Sequence, residues 1–407
     1  MKRIFGTASI GAVSMLFSVT FAQQYNITGA GARAEGFGGA FIGVADDATA
    51  VVWNPAGLSQ LQRPEASVVA RLVGESADFK DRLNATNNQS TSLSHTVFNF
   101  GSLALPFKIG GTNVVVAAAY QRQLDFYDSY KQSGYEYEEK GGVDTFTPGV
   151  GVELSPLFSL GFATNIWFGK DEYAEKNTPA TTSNPNLNYN GSPKGLNFVF
   201  GAMLDFGGMQ KPLPLKIGAS VRTPFTLNSD YTYQWTPALL GVVPEAKTTS
   251  KSDMPLMIGF GGSYRIGENL TVAADYELRS YGKSMTIVTY NVAGYSIPPD
   301  TTQLSASKKD LNQFRIGAEY LLVLDAGVFP VRVGYHNVPT LLAYRNASGA
   351  STDQQVIGDG FSIGTGYISE KFALDLTFSR ASYQAGGVNS TTDYAQTTFT
   401  GSIILYF

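Results

Sequence analysis

Residues 29–58 have the sequence GAGARAEGFGGAFIGVADDATAVVWNPAGL, and the interpretation of the whole chain starts from this stretch. Its apolar residues follow no clean period of two, and their helical period of 3.6 is weak. The stretch nevertheless carries seven large apolar side chains, which are Phe37, Phe41, Ile42, Val44, Val51, Val52 and Trp53. Because burial of this much apolar surface is strongly favourable, we expect a compact, irregular segment packed inside a larger structure.

The composition favours one large closed sheet over two ordinary soluble domains. Charged residues make up 15% of the 407 residues, well below the roughly 25% of typical soluble domains. The chain also holds 22 Tyr, 26 Phe and 44 Gly, which suits a wall that faces lipid on one side and water on the other. A net charge of −4 and a pI near 5.4 argue against a nucleic-acid partner, which needs a basic patch.

The first 22 residues are typical of a secretory signal peptide. Lys2 and Arg3 precede a mostly apolar run, and residues 20–22 (TFA) form a small-x-small cleavage site, so the mature chain is expected to begin at Gln23. No later window reaches the run of about 18 apolar residues that a spanning helix needs. Such an exported chain can still enter a membrane as a closed barrel, in which every backbone group is paired.

Period-2 stretches of strand length recur from residue 65 to the C-terminus. In the stretch 372–379 (FALDLTFS), every even position is large and apolar. Fourteen such strands are predicted, at 65–73, 98–105, 113–126, 145–154, 158–168, 195–206, 215–223, 255–265, 270–279, 312–323, 329–336, 360–367, 372–379 and 397–407. Bacterial single-chain barrels have an even number of strands.

The connections between these strands alternate in length. Long ones are predicted at 74–97, 127–144, 169–194, 224–254, 280–311, 337–359 and 380–396, and the connections between them are short. Short periplasmic turns and long external loops are typical of outer-membrane barrels. The sequence therefore predicts an all-β fold, an antiparallel barrel of about 14 strands in the bacterial outer membrane, with an N-terminal hatch in the lumen. The predicted division is a signal peptide at 1–22, a hatch at 23–62 and a transmembrane barrel at 63–407.

Four arginines are predicted to face the lumen, namely Arg222, Arg279, Arg315 and Arg332. Because a pair of arginines holds a carboxylate bidentately, these residues are candidate ligand contacts. Glu277 and Glu319 share the same faces and would neutralise them, so salt bridges inside the lumen are the alternative. His95 and His336 fall in or beside long connections and are interpreted as surface histidines. We predict no catalytic residue, no metal site and no cofactor.

Irregularities around the third predicted strand indicate a weak point in the wall. Pro148 lies inside an otherwise regular strand, where it cannot donate a ladder hydrogen bond. The second strand changes phase near Gly101, as at a β-bulge, and Arg122 falls on the lipid-facing phase of the third strand. Gly101, Arg122 and Pro148 are therefore candidate residues of a lateral opening, with ordinary barrel bulges as the alternative.

The second half of the hatch carries two local predictions. Asp46 and Asp47 are expected to cap a short helix that begins near Ala48, or to pair with lumen arginines. The Asn54-Pro55 step predicts a tight turn, in which the Asn side chain bonds its own backbone and Pro presets the dihedral angle.

The pattern ADDATA at 45–50 followed by WNPAGL at 53–58 resembles the FadL family of outer-membrane transporters for long-chain fatty acids and other hydrophobic compounds. The resemblance implies a hatch motif at Asp46, Asp47, Asn54, Pro55 and Ala56, followed by a fourteen-stranded barrel. It also implies that a hydrophobic molecule binds at the external loops, shifts the hatch and leaves sideways at a kinked third strand. Because the third strand here has no internal Gly or Pro, Pro148 opposite it is expected to supply the opening instead.

The expected partners are a hydrophobic small-molecule substrate, outer-membrane lipid and the barrel assembly machinery, which would recognise a final strand ending at Phe407. We expect the barrel to be a monomer. Two other functions stay open. Related barrels with the pattern Gly-Ala-Arg-Ala…Trp-Asn-Pro-Ala serve as shuttles in type IX protein secretion, and a passive porin is the third possibility.

Overall fold

The structure is a computed structural model that describes residues 29–239, 243–292, 297–346 and 349–407. The predicted signal peptide at 1–22 and the first residues of the predicted hatch, 23–28, lie outside the described residues. Within the described ranges, no helix is long and apolar enough to cross a membrane.

The described chain forms one closed antiparallel barrel of fourteen wall strands, as predicted. The barrel closes because β1 pairs with both β2 and β19. Five wall strands consist of two consecutive segments, β3 with β4, β8 with β9, β10 with β11, β12 with β13 and β14 with β15. The segments are β1 (Glu65–Asp81), β2 (Gln89–Ile109), β3 (Thr112–Asp125), β4 (Asp128–Gln132), β5 (Tyr135–Ser155), β6 (Phe158–Asn177), β7 (Asn186–Asp205), β8 (Leu215–Arg222), β9 (Phe225–Leu239), β10 (Val243–Met254), β11 (Met257–Ile266), β12 (Leu270–Arg279), β13 (Met285–Asn291), β14 (Asp300–Gln303), β15 (Leu311–Leu324), β16 (Gly327–Arg345), β17 (Ser351–Ile368), β18 (Phe372–Gly386) and β19 (Ser390–Tyr406).

Strand β6 shows how the wall separates lipid from lumen. Phe162 and Ile166 are exposed on its outer face, whereas Ala163, on the opposite phase, is fully buried. The outward apolar residues end at Phe168, and the outward positions within 170–176 are charged or small. A lipid-facing band flanked by polar surface is what a transmembrane barrel needs. The strand therefore continues beyond the membrane into water.

The predicted long connections are mostly strand, which corrects the sequence analysis. The connection predicted at 74–97 is a hairpin in which β1 continues to Asp81 and β2 begins at Gln89. Outside the bilayer both faces of a hairpin meet polar surroundings, so its sequence lacks the apolar alternation that marks a strand. Backbone pairing alone continues the ladder there.

The N-terminal segment fills the lumen, and we call residues 29–61 the hatch. It contains helix α1 (Ala32–Gly36), helix α2 (Ala50–Trp53) and a 3-10 helix (Pro55–Gln60). The hatch and the wall share one apolar core, to which the hatch contributes Phe37, Phe41, Trp53 and Leu58 and the wall contributes Val69, Phe100, Val115 and Val199. This burial confirms that the segment is packed inside a larger structure rather than a free linker.

Glycines in the wall allow the hatch backbone to approach closely. A Cβ atom at Gly161 would lie 2.1 Å from the carbonyl carbon of Pro55, and one at Gly334 would lie 2.0 Å from the amide nitrogen of Gly38. Both separations are shorter than van der Waals contact allows. The wall therefore binds the hatch by backbone-to-backbone packing at these positions.

Candidate functional site

Asn54 is the polar centre of the hatch. Its side chain is fully buried, and its Oδ1 accepts a hydrogen bond from the Ala56 amide at 3.2 Å, which confirms the predicted turn. Its Nδ2 donates to the Ile42 carbonyl at 3.0 Å, inside the hatch, and to the Ala202 carbonyl of β7 at 3.1 Å. Pro55 follows as the first residue of the 3-10 helix, where a missing amide proton costs nothing. One amide thus holds the turn and joins it to the wall.

Asp46 and Asp47 act within the hatch. Asp47 Oδ1 accepts hydrogen bonds from the Thr49 amide at 2.8 Å and the Thr49 hydroxyl at 2.5 Å, one residue before α2, so it forms the turn that leads into the helix. Asp46 pairs with Arg33, and Arg33 belongs to the hatch itself. The arginine that Asp46 pairs with in the lumen is therefore supplied by the hatch and not by the wall.

The hatch is fastened to the wall by charged groups at both ends of α1. Arg33 reaches Glu319 of β15 at 3.3 Å. Glu319 also accepts from Arg332 at 2.6 Å, and Arg332 binds Asp375 at 2.5 Å. Buried charges are stable only when they are paired and hydrogen-bonded, so this network secures the docked hatch.

Glu35 supplies the second charged fastening of α1. Its Oε1 accepts from Arg71 of β1, and its Oε2 accepts from the Thr400 hydroxyl of β19. The Glu35 carboxylate is therefore bound to a wall arginine where the first strand, β1, pairs with the last strand, β19.

The four predicted lumen arginines are all buried or nearly so, but they have different surroundings. Arg332 is bound to two carboxylates, as described above, and Arg279 binds Glu277 at 2.5 Å. Arg222 donates to the Val52 carbonyl of the hatch. Arg315 donates through Nη2 to Gln313 at 2.6 Å and lies 3.5 Å from Glu277. Of these four, Arg315 lines the luminal cavity, and a role for any of them in ligand contact stays a prediction.

A cavity of about 240 Å³ lies between the hatch and the wall. Trp53 and Glu35 of the hatch line it, together with Arg71, Val73 and Val97 of the wall. Its lining thus combines apolar surface with charged groups, which suits a small molecule that is part apolar and part polar.

Both histidines line this cavity, so their interpretation as surface residues is wrong. His95 lies on the inner face of β2, and His336 lies in β16. His95 lies outside the predicted strand 98–105, and the extension of β2 back to Gln89 brings it to the lumen. His336 is the last residue of the predicted strand 329–336, but that strand continues to Arg345 instead of ending in a loop.

The wall has a gap between β2 and β3. The two strands pair from Phe100 with Gln121 down to Ile109 with Thr112. Above that point, residues 89–98 of β2 pair with β1 alone, and residues 122, 124 and 125 of β3 pair with β5 alone. Two strand edges therefore face one another without a ladder. The gap begins level with Phe98, which is half exposed on the outer face, so its lower end meets the lipid-facing band.

Side chains bridge this gap. His95 Nε2 and Asp125 Oδ2 are 2.7 Å apart, and the His95 ring lies 4.5 Å from the Tyr127 ring, centroid to centroid. Asn99 Nδ2 donates to the Arg122 carbonyl at 3.4 Å. Each of these contacts uses at least one side chain and none joins two backbones, so the gap is held by fewer bonds than a ladder would supply.

Two of the three residues predicted for a lateral opening, Gly101 and Arg122, lie at this gap. Gly101 pairs with Tyr120, one step below the gap. Arg122 lies at its edge, where its guanidinium binds Asp144 at 2.5 Å and the Gly141 carbonyl at 2.8 Å. The bulge in β2 falls at Asn99, between the pairs formed by Phe98 and Phe100, and not at Gly101. Phe100 therefore turns inward while Phe98 stays outside.

Pro148 lies elsewhere in the wall. It pairs with Ala118 of β3, and the ladder between β5 and β6 omits Thr147 and Pro148. The side chain of Thr147 bridges that interruption with a hydrogen bond to Asn165 at 2.8 Å. The third wall strand itself breaks at 126–127, between β3 and β4, although it contains neither Gly nor Pro.

Comparison with protein families gives a match to the model described as BamG, over residues 32–320. The chain belongs to the BamG family. The match includes the hatch from the start of α1 and the wall through β15 as far as Tyr320, so it covers the gap and part of the cavity lining. Comparison with curated protein sequences gives no significant match.

Solved structures show that this BamG-family chain has the FadL-like barrel fold. A FadL homologue of Pseudomonas aeruginosa superimposes with a TM-score of 0.65 at 13% identity, covering 94% of this chain and 99% of the other. The Pseudomonas putida toluene transporter TodX gives 0.61 at 12% identity, with 94% and 99% covered. The Ralstonia pickettii toluene transporter TbuX gives 0.58 at 15% identity, with 94% and 100% covered. The barrel is a bacterial outer-membrane protein.

Proposed function

We propose that this barrel takes up hydrophobic small molecules across the outer membrane and releases them sideways through the gap between β2 and β3. The observation that carries the proposal is the position of the gap. It runs from the luminal cavity, which Val97 and Asn99 line, to the outer face beside Phe98. A hydrophobic compound that left the cavity there would enter lipid directly, which is favourable for apolar surface.

The hatch supports sideways release. Its side chains fill the lumen below the cavity, and Asn54, Arg33 and Glu35 fasten it to the wall. A compound in the cavity would have to displace the docked hatch to move straight down. In the proposed cycle, the compound enters from outside, shifts the hatch and leaves through the wall. The FadL homologue and the toluene transporters TodX and TbuX share the fold, and toluene is a hydrophobic compound.

Long-chain fatty acids are the compounds that we propose first. Val73, Val97 and Val338 give the cavity apolar walls, and Arg71 and Arg315 lie in the same lining. An alkyl chain with a charged head group would find a partner for each part. An aromatic hydrocarbon would use the apolar walls alone.

The decisive test is to close the gap covalently. The chain has no cysteine, so a His95→Cys/Asp125→Cys pair can be joined across the gap with a short, reducible thiol cross-linker. Uptake of labelled oleate and toluene is then measured in cells that lack their own transporter. We expect cross-linking to block uptake and reduction to restore it.

The control is a Leu103→Cys/Ala118→Cys pair. These residues are paired neighbours in the part of β2 and β3 that is already laddered, so the same cross-linker should leave uptake unchanged. Unchanged uptake with a fully cross-linked 95–125 pair would rule out release through this gap.

Membership in the BamG family favours a second candidate function, a role as a partner subunit of the barrel assembly machinery. In this function, as in that of a protein-secretion shuttle, the barrel would bind another protein rather than a small molecule. The barrel would be purified from outer membranes in mild detergent. Recovery of barrel assembly subunits in equal amounts, with no uptake of oleate or toluene by the parent protein, would favour this function over transport.

A further inference from the structure

The luminal cavity concentrates buried polar atoms that have no partner in the protein. In the described part of the chain, ten buried side-chain atoms lack a hydrogen bond, and six of them belong to residues that line this one cavity. They are Arg71 Nε, His95 Nδ1, Asn99 Oδ1, Gln123 Oε1, Arg315 Nη1 and His336 Nδ1. Native proteins leave few such groups, and each one is costly. Six around one space indicate a site built for a polar group.

The charge around the cavity favours an anion. Arg315 is 1% exposed, and its Nη1 has no partner although Nη2 is bound. Arg222 and Arg279 lie near the same carboxylate as Arg315. The charges of all three arginines act on Glu277. The neighbouring Asp275 is engaged by the amides of Phe41 and Ile42 at 2.7 and 2.8 Å. Three arginines around one shared carboxylate leave positive charge beside the cavity.

Arg71 carries a second unpartnered donor, and it also forms an ion pair with Glu35 of the hatch. Its Nη2 binds Glu35 of α1, while its Nε is buried without a partner. Glu35 itself lines the cavity. A carboxylate of the hatch therefore already occupies part of an arginine site that faces the place where a compound would lie.

We propose that Arg71 is the switch between hatch and substrate: Glu35 occupies it in the closed barrel, and an anionic head group of the transported compound displaces Glu35. This inference rests on the proposed transport function. The exchange replaces one carboxylate by another on the same guanidinium, so the number of ion pairs is unchanged. The incoming group can also accept from Arg71 Nε and Arg315 Nη1, which Glu35 leaves unpaired, and that difference favours the exchange.

The structural result is a weaker attachment of α1 to the wall. Once Glu35 leaves Arg71, the helix loses its ion pair with β1 and keeps only the hydrogen bond from Thr400 at the seam between β1 and β19, while Arg33 remains bound to Glu319 of β15. A neutral hydrocarbon could enter the same cavity but could not compete for Arg71. The switch therefore selects compounds with a carboxylate head group and couples their binding to the hatch.

The test measures binding to the purified full-length barrel with two probes, oleate and its uncharged methyl ester. Glu35→Gln removes the competitor, so oleate should bind roughly tenfold more tightly because the competent state is more populated, with no change for the ester. Arg71→Gln should weaken oleate alone. In the double variant the gain from Glu35→Gln should disappear, because both changes act on one contact.

Glu75→Gln is the matched control, since Glu75 also lines the cavity but is bonded to Gln396 at 2.8 Å rather than to Arg71. This variant measures the general effect of removing a negative charge from the cavity, so it should raise the affinity for oleate much less than Glu35→Gln does. An equal gain from Glu75→Gln, or an equal gain for oleate and ester in Glu35→Gln, would overturn the switch in favour of a general charge effect.

Movement of the hatch gives an independent readout. Ala34 is buried in α1, so an Ala34→Cys thiol should react slowly with a water-soluble reagent and faster when oleate, but not the ester, is added. Heat-modifiable migration on gels confirms that each variant is a folded barrel. If the barrel takes up toluene but the Ala34→Cys thiol never responds to oleate, the switch is refuted and transport is not. If the thiol responds to oleate but no compound is taken up, transport is refuted and the switch is not.

Discussion

At the scale of single residues, the hatch depends on a few buried polar side chains that serve several partners at once. Asn54 is the clearest case, since one side chain closes a turn, bonds the hatch to itself and bonds it to β7. A buried amide that loses its partners costs more than an exposed one, because the freed carbonyls have no water to bond.

We predict that Asn54→Ala loosens the hatch by about 2–4 kcal/mol while the barrel stays folded. The expected signs are faster labelling of a buried hatch thiol and impaired uptake of oleate at matched membrane levels. Asn84→Ala is the control. Asn84 makes the same turn, accepting from the Thr86 amide at 3.2 Å before a 3-10 helix (Ala85–Asn87), but it lies exposed in an external hairpin. Equal effects of the two substitutions would contradict the proposed role of Asn54.

At the scale of elements, the external hairpins are held partly by buried acidic groups. Glu139 of β5 and Asp171 of β6 are both buried, beyond the lipid-facing band, and the Tyr189 hydroxyl donates to Glu139 at 3.0 Å. Burial, with the charges of Asp171 and Asp128 nearby, raises the pKa of Glu139 to about 9. Burial likewise raises the pKa of Asp171 to about 6.

These shifts predict that the β5–β6 extension opens more readily as pH rises. An acid whose pKa is raised by folding stabilises the fold fully at pH values below its pKa in the unfolded chain, which is about 4.5 for Glu139. This stabilisation is lost as the pH rises through the folded-state pKa of about 9. Hydrogen exchange of residues 135–141 and 170–177, corrected for the intrinsic pH effect, should therefore be faster at pH 9 than at pH 5.

Glu139→Gln should flatten this pH dependence, because an amide cannot ionise. Glu138→Gln is the matched control, since Glu138 is exposed on the outer face and pairs with Lys140 at 2.8 Å. Persistence of the full pH dependence in Glu139→Gln would show that another group controls the extension.

At the scale of the whole molecule, the hatch and the barrel divide two tasks. The wall closes on itself through hydrogen bonds between β1 and β19, so it does not need the hatch to complete its sheet. The hatch fills the lumen and shares its apolar core with the wall. Blocking of the lumen and spanning of the membrane are therefore separable.

We predict that deletion of residues 29–61 converts the barrel into an open pore. The parent should show little conductance in planar bilayers, and the deletion variant should conduct several-fold more, because a fourteen-stranded barrel without its plug encloses water. A folded deletion variant with the conductance of the parent would mean that the wall collapses or that other residues close the lumen.

Much of this architecture could be predicted from sequence because lipid imposes a strict pattern. Each strand in the bilayer must be apolar outside and must pair its backbone, so its period of two is visible in segments such as 372–379. The motif at 53–58 likewise predicted the turn at Asn54. The strand extensions were missed, since outside lipid no apolar face is required and the pattern fades.

By itself, the sequence determined the number of strands, the closed antiparallel barrel and the burial of residues 29–58, because each follows from local periodicity or from apolar content. Tertiary structure alone decided which groups meet in the lumen. Glu35 and Arg71, or His95 and Asp125, are placed together by strand register and by where the ladder between β2 and β3 stops. Register depends on all the pairings of a closed sheet at once, and no short stretch of sequence contains that information.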